Sequence, residues 1–310
     1  MNTQWSVASC QPPYDADGGA RHLSIARRKS SIVKAFSMVE LLVTMTLLSL
    51  IVLALMAVFS STQRAFRASV TQTGVLEGSR ATVDLITSEL RSMAACGGSS
   101  NIYSGVNFVA VNNSFAYSPL VQSLPASTVS RTNLLQYFFV LGRENTKWTS
   151  AGYIVNTASS SPLYPLYRYY AETNISANPY GLYGNFLNEI NNGQWTNMSH
   201  VMDGVIHMVV RAYDPNGFWM TNGYGRQQTI FPQNVWFSPP VFGEVNFAFY
   251  SNTIPAAVEL QLGVLEDRTL QRAESLAGTA QWQYLQAQSG HVHVFRQRIT
   301  IPNADPSAYQ

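Results

Sequence analysis

The stretch Lys34–Val43, KAFSMVELLV, decides the fold of this chain, because it opens a run of apolar residues long enough to cross a bilayer. No charged residue occurs from 41 to 59, and the polar residues in that run are Thr44, Thr46 and Ser49. As an α-helix this run spans roughly 28 Å, close to the thickness of the hydrocarbon core of a membrane. The sequence therefore predicts a transmembrane helix over 36–60.

Glu40 is the unusual residue at the start of this run. An unpaired carboxylate near the end of a spanning helix costs about 2 to 3 kcal/mol. A simple membrane anchor has no need of such a residue, so Glu40 points to a further role.

The charge of the chain is unevenly distributed. Residues 1–35 contain five basic and two acidic residues, a net of +3, which leaves the rest with 14 basic (19 − 5) and 15 acidic (17 − 2) residues and a net of −1. The positive-inside rule then keeps 1–35 in the cytoplasm and sends the remainder across the membrane. A near-neutral outer domain offers no basic surface for direct binding of nucleic acid. Cys10 and Cys96 lie on opposite sides in this topology, so the sequence predicts neither a disulfide nor a zinc site from them.

Three interpretations fit the apolar segment. A secretory signal would be cleaved after it, where the nearest small-residue site is the weak Val58-Phe59-Ser60. An uncleaved anchor explains the length and the basic flank, but neither Glu40 nor the Ala35-Phe36 dipeptide. The third interpretation follows from the motif itself: Lys34–Val43 resembles the N-terminal processing and methylation motif of type IV prepilins and type II secretion pseudopilins.

That resemblance implies that a membrane aspartic prepilin peptidase cuts between Ala35 and Phe36, and that Phe36 is then N-methylated. The family usually has Gly before the cut, where this chain has Ala35. The leader 1–35 is expected to be unstructured and removed, and Glu40 becomes the fifth residue of the mature chain. In a filament its carboxylate would neutralise the N-terminal amine of a neighbouring subunit, which offsets the cost of burying both charges.

After the membrane run, residues 61–95 predict an amphipathic continuation of the helix. Gly74 and Gly78 predict a bend or local melting within it, since each costs about 1 kcal/mol relative to Ala. The apolar positions recur at intervals of three and four, and the charged positions are expected to point elsewhere. The apolar set is Phe66, Val70, Val83, Ile86, Leu90 and Met93, and the charged set is Arg64, Arg67, Arg80, Glu89 and Arg91.

Residues 96–310 predict a β-rich domain of short strands between Gly, Pro, Asn and Ser clusters. In the segment 256–264, Val258 and alternate apolar residues face one way while Glu259 and Gln261 face the other, which predicts a sheet with one covered side and the amphipathic helix as its cover. A helix is expected at 266–288, and irregular surface loops at 171–200 and 214–240. The expected strands are 134–141, 166–170, 204–213, 245–250, 256–264 and 291–301.

The predicted fold class is therefore α+β and pilin-like. A long N-terminal helix, with a membrane half and an amphipathic half, packs on an antiparallel β-sheet domain. The mature chain would have 275 residues (310 − 35) and no C-terminal disulfide loop, which favours a minor subunit. Residues 262–266 and 294–298 resemble the corresponding parts of J-type minor pseudopilins, PilW-type minor pilins and prepilin-type proteins of Verrucomicrobia.

Residues that carry chemistry elsewhere are few. Asp214 and Asn216, in the sequence Asp-Pro-Asn-Gly, are candidate calcium ligands, but this is also close to an ideal turn sequence, and the turn is favoured. His291 and His293 alternate along a predicted strand, with no carboxylate identifiable nearby, so no metal site is assigned. Catalytic, phosphate-loop and dinucleotide motifs are absent from the sequence, and no cofactor is predicted.

A run of six tyrosines between 164 and 183 is either a binding surface or, more often for aromatic strands, part of a packed sheet face. Its members are Tyr164, Tyr167, Tyr169, Tyr170, Tyr180 and Tyr183.

The sequence thus predicts a non-enzymatic pilin or pseudopilin subunit of the bacterial inner membrane, with its C-terminal domain in the periplasm and later in a pilus or pseudopilus. Its expected partners are the prepilin peptidase, other pilin subunits, the inner-membrane assembly platform and the lipid bilayer. The alternative is a periplasmic ligand-binding or enzymatic domain on an uncleaved anchor, with the tyrosine-rich segment as its site.

Overall fold

The structure is a computed structural model of the whole chain and describes residues 37–97, 105–113, 119–124, 128–156, 164–193, 197–221 and 234–309. The chain divides into two units, 1–60 and 61–310. The leader, the predicted cleavage pair Ala35 and Phe36, and Cys10 lie outside the described residues.

The long N-terminal helix is α1, Met38–Arg91, with 54 residues. It continues as helix through Gly74 and Gly78, so the local melting predicted there is not observed. Helical hydrogen bonding stops at Ser92, whose N–H donates to the carbonyls of Ser88 and Glu89 at 3.2 Å. The α+β class, with one long apolar helix and antiparallel sheets, is confirmed.

The described strands of 105–309 form two antiparallel sheets and one hairpin. The larger sheet has seven strands in the order β7-β6-β5-β4-β1-β10-β9, the smaller has the order β12-β11-β8, and β2 pairs with β3. Every ladder in them is antiparallel. The strands are β1 Val106–Asn112, β2 Leu120–Ser123, β3 Ser130–Asn133, β4 Gln136–Glu144, β5 Lys147–Val155, β6 Leu166–Asn174, β7 Met198–Met202, β8 Val205–Tyr213, β9 Val235–Phe237, β10 Phe247–Tyr250, β11 Ala257–Leu265 and β12 Val292–Thr300.

Three predicted segments are organised differently from expectation. The predicted loop 214–240 contains strand β9. The region 171–200 is not an irregular loop: β6 runs on to Asn174, then come helix α2, Gly181–Asn192, and strand β7. The predicted helix 266–288 is two helices, α3 Asp267–Glu274 and α4 Gly278–Ala287, because the chain leaves helical geometry at Ala277 and turns left-handed at Gly278 with φ of 57°.

The first hydrophobic core lies where α1 meets both sheets. Ile86, Leu90 and Met93 are fully buried, and they share this core with Phe138 of β4 and Leu260 of β11. The amphipathic part of α1 therefore packs on the β-domain through the predicted face.

That face was predicted to extend further toward the N-terminus than it does. Phe66 and Val70 are 69% and 54% exposed, because no part of the described domain covers them. Glu89 also differs from expectation, since its side chain turns into the domain and is only 14% exposed.

A second core lies on the opposite face of the seven-stranded sheet, under α2. Phe186 of α2 is fully buried against Phe139 and Tyr169, at ring-centroid distances of 5.8 and 5.5 Å. Gly152 of β5 lies directly beneath the Phe186 ring, where a side chain would collide with it. The glycine thus permits the helix to approach the sheet closely.

The far side of β11 is also different from prediction, because it is not open to water. Glu259 is only 5% exposed, and Arg296 donates to its Oε2 at 2.9 Å while Tyr213 donates to the same atom at 3.1 Å. Arg211 joins this group and also pairs with Glu244. A network of paired charges therefore covers this side.

Gln136 joins the two sheets through its side chain. Its Oε1 accepts from the Val210 N–H of β8 at 2.8 Å, and its Nε2 donates to Asn112 Oδ1 at 3.2 Å and to the Val245 carbonyl at 3.4 Å. Beside it, the Met208 N–H of β8 donates to the Leu134 carbonyl at 2.8 Å. The inner edge of the small sheet is therefore closed against the large one.

Candidate functional site

The first turn of α1 is capped by a side chain. Ser37 Oγ accepts a hydrogen bond from the Glu40 N–H at 3.2 Å, and the Leu41 N–H donates to the Ser37 carbonyl at 3.2 Å. Ser37 is therefore the N-cap, and Ser37-Met38-Val39-Glu40 has the spacing of a capping box. Sequence reasoning considered only the charge of Glu40 here, although Ser37 in the S-x-x-E pattern could have predicted the cap.

The Glu40 carboxylate is exposed. Within the part of the chain that the structure describes, no hydrogen bond or ion pair engages that carboxylate. Its position in the first turn is favourable for a negative charge because the helix dipole is positive there. The carboxylate thus remains available to a group outside the described chain.

Every residue from 38 to 59 is exposed within the chain. The hydroxyls of Thr44, Thr46 and Ser49 each donate to a backbone carbonyl three or four residues earlier, at 2.8 to 2.9 Å. Since these polar groups are satisfied inside the helix, the segment presents an apolar surface without unpaired hydroxyls. Met38–Arg67 is long enough and apolar enough to cross a membrane, by length and composition.

A second charged site lies where α1 crosses the seven-stranded sheet. The Arg168 Nε of β6 donates to Glu89 Oε1 at 2.7 Å, its Nη2 contacts the same oxygen, and the Tyr153 hydroxyl of β5 donates to Oε2 at 2.5 Å. We call Glu89, Arg168 and Tyr153 the helix clamp. Neither the carboxylate nor its partners were recognised from sequence, because the three residues are far apart along the chain.

In the helix clamp the charges of Glu89 and Arg168 are paired with each other. Burial, and then the neighbouring Glu89 charge, raise the pKa of the Tyr153 hydroxyl far above its ordinary value. Burial lowers the pKa of Arg168, but the hydrogen bond and the charge of Glu89 outweigh it and raise that pKa. A cleft of about 310 Å³ lies beside the clamp, lined in part by Ser88, Ser92 and Arg168. Because Arg168 and Tyr153 occupy both oxygens of Glu89, this carboxylate links α1 to strands β5 and β6.

The candidate calcium residues Asp214 and Asn216 form a turn. Asp214 is 2% exposed, its Oδ1 accepts from the Phe218 N–H at 2.7 Å, and its carbonyl accepts from the Gly217 N–H at 3.0 Å. Gly217 takes a φ of 85°, which the turn requires. Asn216 is exposed, so the favoured interpretation of this sequence as a turn matches the geometry.

His291 and His293 do have a carboxylate between them, which corrects the expectation from sequence. Glu266 Oε2 lies 2.9 Å from His291 Nδ1, and its Oε1 lies 3.1 Å from His293 Nε2. His291 ends a short 3-10 turn and is not in the strand. In the described residues, no group of three or more His, Cys, Asp or Glu side chains is placed to hold a metal ion.

The tyrosine-rich run is divided between strand β6, with Tyr167, Tyr169 and Tyr170, and helix α2, with Tyr183. Tyr169 and Tyr183 are buried in the second core, at 4% and 8% exposure. Tyr170 is 42% exposed, and the Arg168 guanidinium lies 4.6 Å from its ring centroid. The packing interpretation therefore accounts for most of these aromatic residues.

Together these features define an α+β protein, and its described residues include one helix that is long and apolar enough to span a membrane. Comparison of the chain with protein-family models, with curated proteins and with solved structures gives no match.

Proposed function

We propose that this chain is a minor pilin or pseudopilin, a structural subunit of a type IV pilus or a type II secretion pseudopilus, and not an enzyme. The proposal rests on the surface of α1 over residues 38–59, which we call the first part of α1. It is exposed from end to end within the chain, it has no unpaired hydroxyl, and its one charge sits in the first turn. Lipid before assembly and neighbouring helices after assembly would cover such a surface.

In this proposal the chain enters the bacterial inner membrane with its C-terminal domain in the periplasm. The prepilin peptidase removes 1–35, Phe36 is methylated, and the subunit is passed by the assembly platform into a filament of other pilin subunits. The resemblance of Lys34–Val43 to the prepilin motif supports the cut between Ala35 and Phe36. The first-turn position of Glu40 supports its pairing with a neighbouring amine.

N-terminal mass spectrometry tests the processing step. The protein should be isolated from membranes of cells with and without a prepilin peptidase. We expect a mature chain that begins at N-methyl-Phe36 only when the peptidase is present. A chain that keeps its leader in both strains would overturn the proposal and favour an uncleaved anchor.

Substitutions at the first turn separate the charge of Glu40 from its place in the capping box. Glu40→Gln removes the charge but keeps a side chain suited to the box, whereas Glu40→Ala removes both. We expect both variants to be processed and both to fail to enter filaments. Normal incorporation of Glu40→Gln would reject the charge-pairing role. Ser37→Ala, which weakens the cap and keeps the carboxylate, is the matched control and should assemble.

The alternative function, a ligand-binding or enzymatic domain on an anchor, is less well supported. Tyr169 and Tyr183, two members of its proposed tyrosine-rich site, pack in the second core. The two functions predict different N-termini, so the same mass measurement distinguishes them.

A further inference from the structure

The four outer strands of the two sheets differ in how their free edges are protected. In the large sheet the outer strands are short: β9 has three residues, and β7 has five with an irregular register against β6. Short or irregular edges are common protection against unwanted strand pairing. Neither strand offers a long ladder to another chain.

The edge of β8 in the small sheet is closed by other means. Three residues of β8 whose backbone groups point away from β11 each use one of those groups in a hydrogen bond. Met208 N–H donates to the Leu134 carbonyl at 2.8 Å, Val210 N–H to Gln136 Oε1 at 2.8 Å, and the Ala212 carbonyl accepts from Met220 N–H at 2.9 Å. This edge is therefore not available.

The edge of β12 is long and regular. Its nine residues pair with β11 in one unbroken register and include no proline. The Ile301 N–H donates to the Ala256 carbonyl, and the Glu266 N–H donates to the His291 carbonyl, both at 3.0 Å. These two bonds lie at the two ends of the ladder and show which residues of β12 bond to β11. The odd-numbered residues bond to β11, and the even-numbered residues direct their N–H and C=O groups outward.

Those outward groups have no backbone partner among the residues that the structure describes. The side chains at the same positions are accessible: Val294 is 46% exposed and the Arg296 side chain 60% exposed. Arg298 is also exposed. A nine-residue open edge is a template for an added strand.

The charges on β12 select the occupant of this edge. Arg296, which also pairs with Glu259, and Arg298, which also donates to the Gly217 carbonyl, lie on one exposed face, and β12 contains no Asp or Glu. In a pair of two β12 strands, arginines could meet only neutral residues or other arginines, and like charges opposite each other destabilise a ladder. Opposite charges in cross-strand positions stabilise it. The sequence of the strand thus disfavours a second copy and favours an acidic segment.

We propose that β12 is a docking edge for an extended, acidic segment of another protein, which adds to the small sheet as a fourth strand and places carboxylates beside Arg296 and Arg298. The proposal does not depend on the pilin function, because it uses only the β-domain.

Amide exchange measured by NMR on the full chain in detergent micelles tests this inference. The probe is a peptide as long as β12 that alternates threonine with glutamate, and the control peptide carries lysine in place of glutamate. Addition of the acidic peptide should slow exchange at the amides of Val294, Arg296 and Arg298. The amides of Phe295 and Gln297, already bonded to β11, should change little. This alternation distinguishes strand addition from a merely electrostatic contact.

A charge reversal completes the test. Arg298→Glu should weaken binding of the acidic peptide about fivefold and improve binding of the lysine peptide, whereas Arg268→Glu on the exposed side of α3 should change neither. No binding of the acidic peptide, binding without alternation, or equal binding of both peptides would overturn the proposal. The same alternating protection could also appear without peptide and increase with protein concentration. That result would identify a second copy of the chain as the occupant and would also overturn the proposal.

Discussion

The two parts of α1 are built from similar apolar residues and differ in what covers them. Leu50, in the first part, is 66% exposed, whereas Leu90, in the second, is fully buried. The second part packs on the β-domain, whereas residues 38–59 of the first part are all exposed. Helical periodicity and apolar content therefore specify the helix in both parts, but the burial of each part depends on the surface available to it.

The carboxylates of the two parts follow the same division. Glu89 is held by Arg168 and Tyr153, and Glu40 has no described partner for its carboxylate. A buried acid that is already paired serves the stability of the chain itself. The exposed Glu40 is favoured only by the helix dipole within the described chain, so its carboxylate stays available to another molecule.

The largest contrast should appear when one leucine of each part is shortened. Leu90→Ala is expected to lower the free energy of unfolding by about 3 kcal/mol, because it leaves a cavity in the first core. Leu50→Ala should change that free energy by less than about 0.5 kcal/mol. Guanidinium unfolding of the full chain in micelles, followed by tryptophan fluorescence, measures both. Equal losses for the two variants would contradict the division of α1.

The next effect concerns the helix clamp. Glu89→Gln leaves the Arg168 guanidinium facing a neutral amide and should cost about 2 kcal/mol, the range of a charge-assisted hydrogen bond. Glu77→Gln changes an exposed acid of the same helix and is the matched control, with little change expected. The same unfolding measurement applies. A loss that is no larger for Glu89 than for Glu77 would show that the clamp does not stabilise the domain.

A smaller effect is expected at the cap. Ser37→Ala should destabilise the first turn by about 1 kcal/mol, seen as faster exchange of the Glu40 and Leu41 amides in micelles. Ser49→Ala removes a hydroxyl that bonds within the helix and should leave those two amides unchanged. If both substitutions speed exchange at Glu40 alike, the Ser37 hydroxyl is not the cap.

The smallest effect is a dependence on pH at Glu266. Burial raises the pKa of Glu266, but hydrogen bonds from His291 and His293 outweigh it and leave the pKa below its ordinary value of 4.5. The stabilisation is therefore fully present above the unfolded pKa near 4.5 and is lost as the pH falls through the lower folded value. It should amount to less than about 1 kcal/mol, since the pair is partly exposed.

The difference in unfolding free energy between wild type and Glu266→Gln checks this sign. That difference should shrink as the pH is lowered from 6 toward 3. A difference that grows over this range would show that the folded state does not favour the ionised form.

The sequence predicted burial best where the spacing of apolar residues along the helix is also the spacing of the residues that pack on the domain. Ile86, Leu90 and Met93 were predicted as one face of the helix and are buried together. Phe66 and Val70 belong to the same pattern but are exposed, since periodicity does not tell where the covering domain ends. The strand β5 was missed because it is buried on both sides, so it lacks the polar alternation that marks a half-covered strand.

The low helix propensity of individual residues led to the wrong prediction at α2, where Gly181, Gly184 and several asparagines favour a loop. Phe186 and Ile190, four residues apart, pack on the sheet and outweigh that propensity. The Ser37–Glu40 cap could have been recognised from sequence. The contacts of Glu89 with Arg168 and of Glu266 with His291 could not, because partners 79 and 25 residues away are brought together only by the fold.

The junction between the two sheets has a consequence for how this domain can change through evolution. A backbone ladder survives almost any substitution, but the bond from Val210 to Gln136 Oε1 is made by a side chain. A single codon change at Gln136 would therefore remove a link between the sheets while leaving the ladders of both intact. The small sheet, with its open β12 edge, could in this way acquire a different tilt or mobility in a related chain without redesign of the large sheet.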